Sequence, residues 1–93
     1  MVRHIVMYNF KEGVNKEEAI KIIGDSLHPL VGKIPGLLYL EVRLTFSGMD
    51  YALYSEFESR KALEDYAVHP LHEAAKGNFT HFIATRVAAD YEV

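Results

Sequence analysis

Ninety-three residues, no cysteine and a formal charge of −3 are enough for a single domain spanning residues 1–93, with a core small enough to gain from association. The missing cysteine excludes disulfides, thiol nucleophiles and thiolate metal centres, and ten basic residues scattered from Arg3 to Arg86 without a run leave no electrostatic footprint for nucleic acid. At 49% hydrophobic and 25% charged residues the composition is that of an ordinary globular protein; no apolar run approaches the roughly 20 residues of a membrane span, and without a signal-like segment after Met1 a cytoplasmic location is expected.

Val2 to Phe10 alternates with the period of a strand, His4, Val6, Tyr8 and Phe10 on one face and Arg3, Ile5, Met7 and Asn9 on the other. Both faces carry apolar residues. Such a strand needs two covers, and in a domain of this size one of them is expected to be a second copy of the chain, with Ile5 and Met7 in the dimer interface. After the Lys11-Glu12-Gly13 turn, Asn15 can cap a helix that carries Glu17 and Glu18 in its first turn. Its stripe of Ala19, Ile20, Ile23, Leu27, Leu30, Val31 and Ile34 predicts a helix kinked at Pro29 and closed by Ile34-Pro35-Gly36. Leu37 to Phe46 then alternates, with Leu38, Leu40, Val42, Leu44 and Phe46 expected on the core face. Tyr51 to Glu58 alternates likewise, so the two are expected to form a hairpin around Ser47-Gly48-Met49-Asp50.

The stretch from Ser59 to His72 is arranged for more than folding. Ser59 caps a short helix, and Pro70, which lacks an amide proton, interrupts it. On an unbroken helix Tyr66 and His72 would point about 240° apart, so only the break can turn a phenol and an imidazole into one cavity. Leu71 to Lys76 forms a second short helix stopped by Gly77-Asn78, and Ile83 to Tyr91 is the last strand. Taken together, β-α-β-β-α-β is the α+β ferredoxin-like order, with a four-stranded antiparallel sheet under helices on one side. Its other face is left to a second copy. Between sheet and helices we expect a small apolar pocket lined by His4, Val6, Tyr8, Ile23, Leu27, Tyr66 and His72.

Five stretches carry a family resemblance: Arg-His-Ile-Val-Met-Tyr-Asn-Phe around His4, Ile34-Pro35-Gly36, Ser55-Glu56-Phe57-Glu58-Ser59, Tyr66-Ala67-Val68-His69-Pro70-Leu71-His72, and Ala89-Asp90-Tyr91. With them the chain resembles the stress-responsive dimeric α/β-barrel (Dabb) domain over nearly its whole length. The resemblance implies a homodimer whose two sheets pair as a barrel. Within that family one plant branch is enzymatic, a cyclase making olivetolic acid, whose catalytic tyrosine and histidine match Tyr66 and His72 and whose pocket-facing first-strand histidine matches His4. The Tyr-x-x-His-Pro-x-His segment marks the whole family, including members without a known reaction.

Each of these residues also has a plainer role. Tyr66 fits a core aromatic as well as a donor to a substrate carbonyl, His72 could support the kinked turn, His4 could be a satisfied core histidine, and His69 fits a cap for the helix that Pro70 opens. No histidine pair has a metal-ligand signature, no phosphate loop is present, and neither Ser55 nor Ser59 sits in a nucleophile elbow. No metal and no cofactor are therefore expected. The expectation for function is a homodimer binding a small apolar ligand, with acid–base chemistry on a carbonyl compound by Tyr66 and His72 as cyclase, isomerase or lyase; the alternative is a non-catalytic, stress-related scaffold or interaction protein.

Overall fold

In a computed structural model, which describes residues Met1–Val93, the chain forms four strands and three helices. They are β1 (Val2–Phe10), α1 (Lys16–Leu27), β2 (Leu37–Leu44), β3 (Tyr51–Phe57), α2 (Arg60–Ala67), α3 (Pro70–Lys76) and β4 (Ile83–Glu92). The sheet runs β2-β3-β1-β4 and is antiparallel throughout. This is the ferredoxin-like α+β arrangement, with all three helices on one face. No helix is long and apolar enough to cross a membrane.

Local chemistry accounts for the element ends. Asn15 Oδ1 accepts from the Glu18 amide at 3.0 Å and Ser59 Oγ from the Ala62 amide at 3.1 Å, each satisfying an amide that the first helical turn cannot. Gly36 adopts φ 84°, and a Cβ there would lie 2.5 Å from the Ala62 Cβ, so the turn into β2 needs glycine for its backbone and for the close approach of α2. Asp50 ties the β2–β3 hairpin to the far end of β1: its carboxylate accepts from the Phe10 amide at 2.8 Å and from Lys16 Nζ at 2.9 Å.

Three sequence expectations change. The first helix is not a kinked rod reaching Ile34. It stops at Leu27, His28–Leu30 forms a 3-10 turn with Pro29 inside it, and Leu30 and Ile34 are buried from irregular backbone. Proline removes an amide and crowds the preceding turn, so here it ends the helix outright. In β2 a register shift between Leu37 and Tyr39 buries Leu37 and turns Leu38 out, and Phe46, beyond the strand, is fully exposed. A bulge exchanges the two faces of a strand, which an alternation read from one end cannot foresee.

The core lies between sheet and helices, where Val6, Ile23, Leu27, Val42, Leu53 and Phe57 are all nearly inaccessible. Across the sheet the other face is uncovered in the single chain. There Ile5 is half-buried, and Met7, Val87 and Tyr91 are exposed. Arg3 sits 5.9 Å over the Tyr91 ring, while on β2 and β3 the same face carries Tyr39 and Arg43 bonded to Glu41, and Tyr54 bonded to Glu56.

Candidate functional site

The break at Pro70 does what its position in the sequence predicts. Helix α2 ends at Ala67, and His69 caps α3 by accepting the Leu71 amide on Nδ1 at 3.1 Å. Because the helix axis changes there, Tyr66 and His72 meet with ring centroids 4.0 Å apart and planes inclined by 27°. Tyr66 also packs edge-on against Phe57 at 5.0 Å. The two rings stack and do not hydrogen-bond to each other, so they present separate polar atoms to whatever lies beside them.

Beside them is a cavity of about 370 Å³. Its floor is the helix-side face of the sheet, with His4 and Tyr8 from β1, Leu53 from β3, and Ile83 and Arg86 from β4. Its roof is Leu63, Tyr66 and Ala67 of α2 with His72 and Lys76 of α3, and Leu27, Phe79 and Thr80 close its side. Of the residues anticipated for a pocket, His4, Tyr8, Leu27, Tyr66 and His72 line it together. Val6 and Ile23 do not. Both are nearly inaccessible, Val6 on the sheet and Ile23 on α1, within the buried cluster packed between these elements.

Electrostatics at the pair follow from burial. Desolvation disfavours a phenolate and raises the Tyr66 pKa well above the ordinary tyrosine value, keeping the hydroxyl a proton donor. His72 is shifted down, first by burial and then by the Lys76 ammonium, against the weaker opposing pull of the Ala67 and Tyr66 carbonyls at the end of α2. Its imidazole is therefore neutral at pH 7. Nδ1 is buried without a well-aligned partner, so Nε2 is the ring nitrogen left to serve the cavity that His72 lines.

A second constellation stands on the sheet. The β1–β4 register sets His4 opposite Asp90, and His4 Nδ1 hydrogen-bonds an Asp90 carboxylate oxygen. A carboxylate on one ring nitrogen orients the imidazole and leaves the other as an acceptor. Sequence reading did not pair Asp90 with His4, 86 positions away; strand register was the signal that would have found it. Lys76 and Arg86 were missed as well, because isolated basic residues carry no motif. Ile5 and Met7 lie on the opposite, uncovered sheet face, away from this cavity.

Among known proteins, an uncharacterized protein of Streptomyces coelicolor is 33% identical over 97 residues, covering 99% of both chains. The crystal structure of a dimeric protein of unknown function and ferredoxin-like fold from Bacteroides fragilis superposes with a TM-score of 0.88 at 30% identity, over 99% of this chain and 95% of that one. A hydroxynitrile lyase from Passiflora edulis, 19% identical with a TM-score of 0.80 over 97% of this chain and 90% of its own, shares the fold. The family model of the Stress responsive A/B Barrel Domain matches residues 2–93. With that match across the sheet, the helices and the Tyr66–His72 segment, the chain belongs to the stress-responsive A/B barrel domain family.

Proposed function

We propose that the protein is a homodimeric small-molecule-binding domain that carries out acid–base chemistry on an apolar carbonyl compound, using side chains alone. The observation that carries this reading is the stacked Tyr66–His72 pair facing one largely apolar cavity, with the phenol held protonated and the imidazole held neutral. A neutral His72 Nε2 can accept a proton from a carbon next to a carbonyl. Tyr66 can at the same time donate a hydrogen bond to the carbonyl oxygen on which the enolate charge develops. The proton then returns from His72 to a different carbon or oxygen, which covers cyclisation by aldol addition, isomerisation and carbon–carbon cleavage in the retro direction.

The test is turnover of a panel of aromatic and β-keto carbonyl compounds by the purified protein. A positioned base contributes about 10²–10⁴-fold, so the Tyr66→Phe, His72→Ala double variant is expected to lose activity on that scale. Turnover that survives in the double variant sinks the mechanism. The tight packing of Tyr66 against Phe57 and His72 favours a second reading, a non-catalytic scaffold in which these rings serve stability. Robust turnover removes that alternative.

Dimerisation rests on the uncovered sheet face and on the Bacteroides fragilis protein, itself described as dimeric. In this reading Ile5 and Met7 are buried by the partner copy. Replacing both by Asp would bury unpaired charge, and monomer or unfolded protein is expected in light scattering; an unchanged dimer would contradict the placement.

A further inference from the structure

The polar groups around the cavity are unevenly charged. Lys76 and Arg86 both line it, from α3 and β4 respectively, and no aspartate or glutamate does. Asp90, the nearest acidic residue on the same face of β4, is engaged by His4 at the other end. Arg86 has no carboxylate partner among the ion pairs of the chain. Lys76 pairs only with Glu73 on its own helix, at 3.0 Å with both side chains substantially exposed, a contact weak enough to be exchanged for a better one.

Position along the elements groups the two cations and sets them apart from Asp90. Arg86 lies opposite Tyr8, and Asp90 opposite His4, so the two ends of the floor are about 13 Å apart at roughly 3.3 Å per residue. On the roof Lys76 follows His72 by one helical turn, a rise of about 6 Å. The Lys76 carbonyl accepts from Thr80 Oγ1 at 2.7 Å, three residues before β4 begins at Ile83, so the end of α3 that carries Lys76 lies toward the Tyr8–Arg86 end of the floor. A largely apolar cavity lined by two cations and no carboxylate is complementary to a molecule with an apolar body and an anionic group.

We infer that the ligand of this cavity is an apolar carboxylic acid, its carboxylate held between Arg86 and Lys76 and its hydrophobic body lying along Tyr66 and His72. This rests on the pocket reading above and narrows it to anionic carbonyl compounds, such as keto acids. Arginine suits the task because its planar fork can engage both carboxylate oxygens. A bound carboxylate would also offset the Lys76 ammonium, which now opposes protonation of His72, and so would make the imidazole a stronger base only when substrate is present.

The experiment compares 3-phenylpropanoate with 3-phenylpropanamide, which share shape and apolar body but differ in charge, by NMR titration of the full chain with the His72 and Tyr66 side-chain resonances as reporters. The acid is expected to bind about tenfold or more tightly than the amide, the scale of a charge-assisted hydrogen bond. Arg86→Gln and Lys76→Gln should each cut that preference and leave amide affinity unchanged, and Arg86→Lys should retain part of it. Equal binding of acid and amide at the cavity overturns the inference while the pocket reading stands. A preference for the acid that neither glutamine variant alters overturns the assignment to Arg86 and Lys76. If neither compound perturbs the reporters, both the inference and the pocket reading fail.

Discussion

Two halves of the space between sheet and helices share one sheet, lie under different helices and end differently. Under α1 the gap is filled: Ile23 of the helix and Val6, Leu40 and Val42 of the sheet belong to one cluster of buried side chains, and none of them lines the cavity. Under α2 and α3 it is hollow. There the roof is made of two helices of eight and seven residues joined at a proline, and its lining includes the stacked rings of Tyr66 and His72 together with small Ala67 and Thr80. Branched aliphatic side chains on a regular helix interdigitate with a sheet to crystal-like density. Rings fixed by stacking on one another cannot collapse into the space beside them, and a short broken helix has too few turns to offer a full apolar stripe. Hollowness is thus encoded by ring shape and helix length as much as by any catalytic residue.

The contrast makes stability predictions that differ by half. Ile23→Ala opens a void where neighbours are packed on every side, so a loss of about 2–5 kcal/mol is expected in urea unfolding; a loss under about 1 kcal/mol would mean the filled half is looser than described. In the hollow half His72 behaves oppositely. Its Nδ1 is buried without a partner, so His72→Leu should hold the stability at neutral pH within about 1 kcal/mol, or raise it, by removing an unsatisfied group.

That same variant sharpens the comparison through pH. The folded-state pKa of His72 is lowered from 6.5 by burial and by Lys76. Above 6.5 both folded and unfolded chains hold it neutral and it has no effect. As pH falls below that value the unfolded chain takes up a proton that the folded chain refuses, so stability declines until the lower folded-state value is passed. Urea midpoints at about pH 7.5 and pH 5.5 should therefore diverge more in the wild type than in His72→Leu, and equal divergence would place the imidazole in a solvated setting. The smallest effect is expected for Tyr66→Phe, which keeps the ring contacts with Phe57 and His72 and should change stability by less than about 1 kcal/mol, separating any loss of turnover from loss of fold.

Much of the site was legible before the tertiary structure. Pro70 after His69 announced the break, and the angular distance between Tyr66 and His72 required it if the two were to share a cavity. What could not be read was which apolar residues face the hollow. Val6 and Ile23 share a periodic face with Tyr8 and Leu27 and differ from them only in what lies opposite, since the face of an element says that a side chain points inward and is silent on whether it meets a neighbour or a void. Asp90, Lys76 and Arg86 were equally opaque, because a charged residue on an edge strand or a helix end looks the same whether it faces water or a cavity mouth.

By itself the sequence determined the element order, the caps at Asn15 and Ser59, the left-handed turn at Gly36 and the proline break, all consequences of backbone sterics and of side chains reaching amides within a few residues. Only the tertiary structure decided that Pro29 ends a helix instead of bending it, that Leu37 displaces Leu38 from the core through a bulge, and that His4 meets Asp90. Local interactions are written in neighbouring residues. The others depend on register and on how two surfaces fill the space between them, which is settled only when distant segments compete for the same volume.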